Sequence, residues 1–489
     1  MSCESPRTTM VQLEESLAEL RQTFRSGVTR SVAWRKNQLR ALIELLRDNQ
    51  DRIFNALYQD LGKHPVEAYR DEIGAIIKSA ENALSCVEKW MAPEKRWIPL
   101  LFFPASGEVV SEPLGVVLIL STWNFPIALV LEPLIGAIAA GNAAMIKPSE
   151  LAQESASFIA ATIPLYLDCK AIKVVNGGAD LSDRLLQQKW DKIFFTGSPR
   201  VGSIVMSAAA KHLTPVVLEL GGKCPAIVDT FSSISDMKVI AKRIVGGKWA
   251  SCNGQVCIGI DYILVEKRCS STLIDLLKTT LAKFYGNNPI DSSSISRVIN
   301  KHHFGRLHKL LKDPLVAASI VHGGSLDEEK LFIEPTILLD PPLDAEIMTE
   351  EIFGPLLSII TLNDIQESIE FINSRPKPLV IYAFTKDETF KKQLLSGTSS
   401  GSVVFNDTMV HYVCDVLPFG GVGQSGFGRY HGKYSFETFS HEKAVMQRSF
   451  FLELEPRYPP WNDFKLNFLK RAYKFDYFNL LLLMLGLKK

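Results

Sequence analysis

The sequence predicts an α/β fold, a parallel helix-covered sheet of nucleotide-binding type joined to a second α/β lobe. Three observations predict it. From Gly115 onward, short apolar runs of strand type alternate with helical patterns and turn at glycine or proline. Before that point, Val11 to Trp90 shows only amphipathic helical spacing. Glycines 420, 421, 423, 426 and 428 then make a dense loop after Pro418-Phe419, beyond the last regular alternation.

The elements follow in order. Leu13, Leu17, Leu20 and Phe24 keep helical spacing, as do Leu42, Leu45 and Leu46. Glu88, Lys89, Glu94, Lys95 and Arg96 surround Pro93 and read as a solvated connection. Gly115 to Leu120 is a strand, and Ser121 to Pro126 is a turn. A helix is expected over Ile127 to Ala140, ended by Gly141-Asn142. Ala143 to Ile146 is a buried strand stopped by Lys147-Pro148, and another helix follows. Ile172 to Val175 and Lys192 to Phe195 are strands, and a helix runs through Val201, Val205 and Ala208. Past Gly221-Gly222 the alternation is less regular, to about Leu395. Its strand candidates are Ala226 to Val228, Ile263 to Val265, Phe332-Ile333 and Leu356 to Ile360. Nucleotides bind at the carboxyl ends of such strands.

Composition narrows the function. The 489 residues suffice for two or three domains, and 46% hydrophobic with 22% charged residues is ordinary for a globular protein. A formal net charge of +1 gives no electrostatic argument for nucleic acid, and none is expected as a partner. Eight cysteines with no CxxC spacing suit free thiols in a reducing compartment. Met1 to Met10 has no apolar core and reads as no secretory signal.

Several residues could carry chemistry, and each has a plain alternative. Asn253-Gly254-Gln255-Val256-Cys257 breaks the apolar approach from Ile244 to Ala250 before the strand at Tyr262 to Val265. Cys257 on such a loop is a candidate nucleophile, although a free thiol of pKa about 8.5 needs activation. The alternative is a small buried hydrophobe. Glu219 is an acid inside the apolar run Val216 to Leu220, before Gly221-Gly222. Burial raises a carboxyl pKa toward the range of a general base, unless Lys223 or a backbone group pairs it. Asn124 follows a strand and could donate to an oxyanion, or stabilise its own turn. Lys147 and Glu150 could meet an adenosine ribose, or Ser149 could simply cap a helix. Gly197, Ser198 and Gly202 sit between strand and helix, where backbone N–H groups can hold a pyrophosphate. The GxxxxG spacing is not a recognised fingerprint, and a tight turn explains it equally. His302, His303 and His308 lack a completing ligand, so no metal site is expected. Cys252 reads as a packing residue.

These pieces occur together in one family. The chain resembles the aldehyde dehydrogenases, in the class 3 and fatty aldehyde dehydrogenase branch, from Val11 to Pro460. The resemblance rests on Trp123 to Pro126, Ile146 to Glu150, Phe195 to Ser198, Leu218 to Lys223 and Gly254 to Cys257. It continues through Glu350 to Pro355, Leu417 to Gly423, Tyr430 to Lys433 and Arg457 to Pro460. It implies a Rossmann-type cofactor domain, an α/β catalytic domain and a small oligomerisation sheet. The expected division is residues 1–218 (helices and cofactor domain, with sheet segment near 100–113), 219–400 (catalytic), 401–450 (return and oligomerisation segment) and 451–489 (tail).

The resemblance also implies the chemistry. NAD or NADP would oxidise medium- and long-chain aliphatic, or aromatic, aldehydes to acids. Cys257 would form a thiohemiacetal and then a thioester, Asn124 would stabilise the oxyanion, and Glu219 would activate water. Glu351 and Phe353 would place the nicotinamide ribose and ring. A homodimer is expected. The alternatives are a CoA-acylating enzyme, which Glu219 argues against, and a non-catalytic structural protein keeping the fold, which intact Cys257, Asn124 and Glu219 argue against. The chain departs from the family at Val256, where many members have threonine, at Gly259-Ile260, where Ala-Pro is usual, and at Gly426-Phe427.

The tail from Pro459 to Lys489 interleaves Lys465, Lys470, Arg471 and Lys474 with aromatics and ends in the apolar run Phe478 to Leu487. Ten helical residues rise about 15 Å, half a hydrocarbon core, so the run should not span. Peripheral contact with a membrane, on its cytoplasmic face, is the expectation, favouring lipid-soluble aldehydes. A terminal helix packed on the protein's own surface is the alternative.

Overall fold

The computed structural model describes residues 10–230, 233–451 and 453–487. The reading of the leader and that of Lys488-Lys489 lie outside the described residues. By compactness the chain forms two units, one of Met1–Val87 with Pro113–Ser440, the other of Glu88–Glu112 with His441–Lys489.

The first unit holds both large sheets. One has six strands in the order Gly426–Phe427, Val216–Leu220, Lys192–Gly197, Val116–Leu120, Ala143–Lys147, Ile172–Val174. All pairs are parallel except the first, where Gly426 stands opposite Glu219. The central strands are buried throughout, as a parallel sheet covered on both faces requires. Leu13, Leu17 and Leu20 of the helix Met10–Arg25 close one core with Leu118, Met145 and Phe195. The helix Ala128–Ala140 is buried at every residue, which explains its all-apolar pattern. Gly141 ends it at φ +88°, a conformation glycine adopts without penalty.

The second sheet has seven strands in the order Ile320–His322, Thr336–Leu339, Leu356–Leu362, Ile260–Glu266, Cys224–Val228, Val380–Phe384, Ser402–Phe405. The alternation therefore runs on to Phe405, past the expected end near Leu395. Phe332–Ile333 pairs instead with Leu326–Asp327 in a two-stranded ribbon. The core of this lobe joins Ile227, Leu264, Leu338, Ile360 and Ile381 to Phe304 and Leu307 of the helix Lys301–Lys312.

The second unit has a three-stranded antiparallel sheet, Glu94–Arg96, Ala105–Pro113 and Ser440–Arg448. The charged passage after Pro93 is thus a strand, not a simple connection. All three of its side chains are exposed, so it carries no apolar alternation to announce it. The tail forms two helices, Asp463–Ala472 and Tyr477–Met484. They bury Phe468, Ala472 and Leu483 against one another and Leu101. Among the described residues, no helix is long and apolar enough to cross a membrane.

Candidate active site

A cavity of about 640 Å³ opens at the carboxyl ends of the six-stranded sheet and takes in Asn124, Gly197, Ser198, Glu219, Cys257, Glu351 and Phe353. Seven expected site residues from five separate stretches of chain therefore meet at one place.

Cys257 is half-buried in the loop between the helix Ile234–Trp249 and the strand Ile260–Glu266. Three consecutive left-handed residues turn this loop, Cys252 (φ +43°), Asn253 (φ +49°) and Gly254 (φ +81°). A Cβ on Gly254 would collide with the Gly354 carbonyl, so both backbone angle and space demand glycine there. Gln255 ties the turn down. Its amide nitrogen donates to the Cys252 and Arg297 carbonyls, both at 2.9 Å, and its oxygen accepts from the Ile299 N–H at 3.1 Å. Beyond the turn, the Cys224 thiol donates to the Cys257 carbonyl at 3.3 Å, and the Tyr382 hydroxyl to that of Ile258 at 2.6 Å.

Asn124 is 1% exposed. Its Nδ2 donates to the Gln255 carbonyl at 2.9 Å, while its Oδ1 has no partner. An amide nitrogen carries two hydrogens. One is used on the loop that bears Cys257, and the second is left for a ligand oxygen in the cavity.

Glu219 is the penultimate residue of the strand Val216–Leu220 and is 3% exposed, with neither carboxylate oxygen partnered. Burial holds its carboxyl well above the usual carboxylate range. The alternative pairing with Lys223 is not made. Lys223 bonds Asp261 and the carbonyls of Ile347 and Glu350 instead. Burial also pushes Glu351 up to about 8, opposed by the Gly222 N–H, which donates to it. The Cys257 thiol is pushed up to about 12, first by burial and then by the charges of Glu351 and Glu219; the N–H groups of Ile258 and Cys257 pull the other way. Burial thus opposes the charged form of all three groups.

The expected cofactor residues divide. Ser198 caps the helix Pro199–Ala210, accepting from the Val201 N–H, and with Gly197 it faces the cavity at a helix N-terminus. Gly202 turns the other way, and a Cβ there would press on Leu220 at 3.1 Å, so it seats helix on strand. Lys147 lies at the end of the strand Ala143–Lys147, off the cavity wall, and bonds Glu150 at 2.7 Å. The Glu351 carboxylate lies against Gly221, where a Cβ has no room. Phe353, at φ +49°, packs edge-on to Trp123 with 5.4 Å between ring centroids.

Two further residues join the site: Arg306, which had not been singled out, and His303, which had been weighed only as a metal ligand. Arg306 donates to the Glu351 and Ile352 carbonyls and so holds the loop before Phe353. His303 lines the cavity 4.9 Å from Trp123, its pKa lowered to about 4 by burial and by Arg306. Among the described residues no cluster of histidine, cysteine or carboxylate side chains suits a metal ion. One signal was available for Arg306, which sits one helical turn after His302 and His303 on an otherwise amphipathic helix.

Comparison with known proteins gives a consistent answer. The aldehyde dehydrogenase family model matches residues 1–445. The chain is 62% identical to aldehyde dehydrogenase family 3 member F1 of Arabidopsis thaliana over 477 residues, 98% of this chain and 99% of that protein. It is 43% identical to 4,4'-diaponeurosporen-aldehyde dehydrogenase of Staphylococcus aureus over 462 residues, covering 94% and 99%. The substrate-bound structure of Staphylococcus aureus AldH superposes with a TM-score of 0.91 at 42% identity, covering 94% of this chain and 99% of that one.

Proposed function

Since the chain belongs to the aldehyde dehydrogenase family and oxidises aldehydes to carboxylic acids with NAD or NADP, we propose that Cys257, Asn124 and Glu219 carry that reaction and that its substrates are medium- and long-chain aliphatic aldehydes. The observation that carries the assignment is their meeting in one cavity, with an unpartnered amide hydrogen on Asn124 and two unpartnered oxygens on Glu219.

The Cys257 thiol gives up its proton to solvent, the thiolate Sγ adds to the aldehyde carbon, and the C=O π electrons pass to the carbonyl oxygen, which takes up the charge. The second Asn124 N–H and the Cys257 backbone N–H donate to that oxyanion. When bound, the nicotinamide would supply the hydride acceptor. Gly197 and Ser198 at the helix start, with Glu351 and Phe353, would hold and orient it, and Lys147 and Glu150, at and after the end of the strand Ala143–Lys147, would meet its adenosine ribose. Once the carbon has lost hydride, it is a thioester on Cys257. Glu219 takes a proton from water, the hydroxide adds to the thioester carbon, and the C–S bond breaks to release the acid.

The aliphatic reading rests on the loop that follows Met409. The Met409 N–H donates to the Tyr382 hydroxyl at 3.3 Å, the same hydroxyl that bonds Ile258 beside Cys257. From that anchor the loop displays Val410, Val413, Val416 and Leu417, each more than 40% exposed. Exposed branched aliphatics on a loop tied through Tyr382 to the residue after the thiol suit a hydrocarbon tail. The test is NADH formation from hexadecanal and from benzaldehyde, beside Cys257→Ala. Cys257-dependent turnover favouring hexadecanal is expected. Turnover favouring benzaldehyde removes the aliphatic preference and keeps the mechanism.

Dimerisation and membrane contact belong to the second unit. Ser440–Arg448 is an edge strand of nine residues with no buried side chain, an edge that a second copy would cover. The tail helices leave Tyr473, Phe478, Leu481 and Leu485 more than half exposed beside Lys470 and Lys474, a mixture suited to an anionic lipid surface on the cytoplasmic side.

A further inference from the structure

The segment from Lys63 to Glu72 places five ionisable side chains behind the reacting loop. Arg70 donates to the Ala250 carbonyl at 2.7 Å, and Asp71 accepts from the Ser251 hydroxyl at 2.7 Å. Glu67 accepts from the Cys252 N–H at 2.6 Å and from the Ser296 hydroxyl at 2.8 Å. The remaining two form an ion pair, Lys63 Nζ to Glu72 Oε1 at 2.6 Å, with both side chains 0% exposed.

This pair grips both ends of one turn. Lys63 Nζ donates to the Asn124 carbonyl at 2.7 Å and stands 4.1 Å over the Phe125 ring. The other oxygen of Glu72 accepts from the N–H groups of Ile127 (2.9 Å) and Ala128 (3.2 Å), where the next helix begins. The Asn124 side chain itself makes a single hydrogen bond, to Gln255. Its aim into the cavity therefore depends on where its main chain is held. A buried ion pair is poor evidence for stability alone, since an uncharged pair of similar volume often serves as well.

We propose that Lys63 and Glu72 are positioning residues for the oxyanion donor: by fixing the Asn124 main chain they hold its free amide hydrogen on the carbonyl oxygen of an aldehyde at Cys257. The inference rests on the reading of Asn124 as that donor.

The experiment compares full-length Asn124→Ala, Lys63→Met, Glu72→Gln and the pair variant Lys63→Met/Glu72→Gln, with Lys63→Met and the pair variant also placed in the Asn124→Ala background. The readings are kcat and KM for hexanal and NAD, with thermal unfolding as a check on folding. Asn124→Ala should lower kcat about 100- to 1,000-fold. The pair variant, which is uncharged and keeps an acceptor for Ile127 and Ala128, should fold and lower kcat about 10- to 100-fold, the scale of a misplaced group. KM for NAD should stay within about twofold. In the Asn124→Ala background the same changes should cost less than about twofold more, because the group they aim is gone. Glu72→Gln, the smallest change, should show the effect weakly if Lys63→Met alone does not fold. Wild-type kcat in the folded pair variant overturns the inference, and so does an equal loss in both backgrounds. If Asn124→Ala itself keeps full kcat, the oxyanion reading fails, separately from the positioning one.

Discussion

The Asn124 amide nitrogen and the Gln255 carbonyl oxygen lie 2.9 Å apart, so the residue that would receive the oxyanion is bonded to the loop that carries the thiol. That loop is in turn held by the Gln255 side chain, which is 0% exposed and uses both ends of its amide. Replacing it strands the Arg297 carbonyl and the Ile299 N–H, while the Cys252 carbonyl keeps only the backbone N–H of residue 255. Gln255→Ala should therefore lower stability by about 3 kcal/mol in urea unfolding. It should also lower kcat by more than its effect on cofactor KM. A stability loss with unchanged kcat in the folded variant would mean that the loop holds its shape without Gln255.

Glu219 and Cys257 act in different halves of the proposed reaction, and that separates them experimentally. Glu219→Gln keeps the size of the side chain and removes the base. Hydride transfer should survive, giving a burst approaching one NADH per site, followed by turnover reduced about 100- to 10,000-fold. The acyl adduct should then be visible as added mass on Cys257. Absence of both burst and adduct would mean that Glu219 is needed before the thioester forms.

The charge of Glu351 acts on Cys257 only where Glu351 is ionised. Its carboxyl, pushed up to about 8, is mostly protonated below that pH and mostly charged above it. The charged form raises the thiol pKa, so Glu351→Gln should lower it on the alkaline side alone. Alkylation of Cys257 by iodoacetamide, without cofactor, should be about 3- to 10-fold faster in the variant at pH 9.5 and nearly unchanged at pH 6.5. The same acceleration at both pH values would show that packing rather than charge was altered.

What could be read in advance followed local pattern. Glu219 announced itself as one acid among valines and leucines, and Cys257 as a thiol just past a helix-breaking glycine. Strands buried on both faces, such as Val116–Leu120, showed as unbroken apolar runs. Glu94–Arg96 did not show, because its place in the sheet is made by backbone hydrogen bonds alone. Nor did Lys63 and Glu72. Lys63 stands between two helices and Glu72 in a helical turn, in a charged stretch where an exposed face is the ordinary expectation, and Lys63 meets its carbonyl partner 61 positions along the chain. Arg306 had one local signal, its place a helical turn after His302 and His303, but the carbonyls it holds are 45 and 46 residues further on. Long-range contacts of charged groups to main-chain carbonyls have no side-chain partner in the sequence to point at them.

The tail allows a sharper test than truncation. Removing Asp463 to Lys489 would strip Phe468, Ala472 and Leu483 from the small core that covers Leu101, and so would confuse lost binding with lost folding. Lys470, Lys474 and Phe478 are exposed and lie outside that core. Lys470→Glu with Lys474→Glu should leave thermal unfolding within about 0.5 kcal/mol of wild type. Each lysine near an anionic surface contributes about 1 kcal/mol, so removing two and adding two negative charges should weaken cosedimentation with phosphatidylserine vesicles at least about tenfold. The effect should shrink in 0.5 M salt, where the screening length falls to a few ångströms. Phe478→Ser should weaken binding at both salt concentrations, because the apolar contribution is not screened. Oxidation of hexanal in solution should be unchanged in all of them. Undiminished vesicle binding by the charge-reversed protein would leave the tail helices as a packed terminus and nothing more.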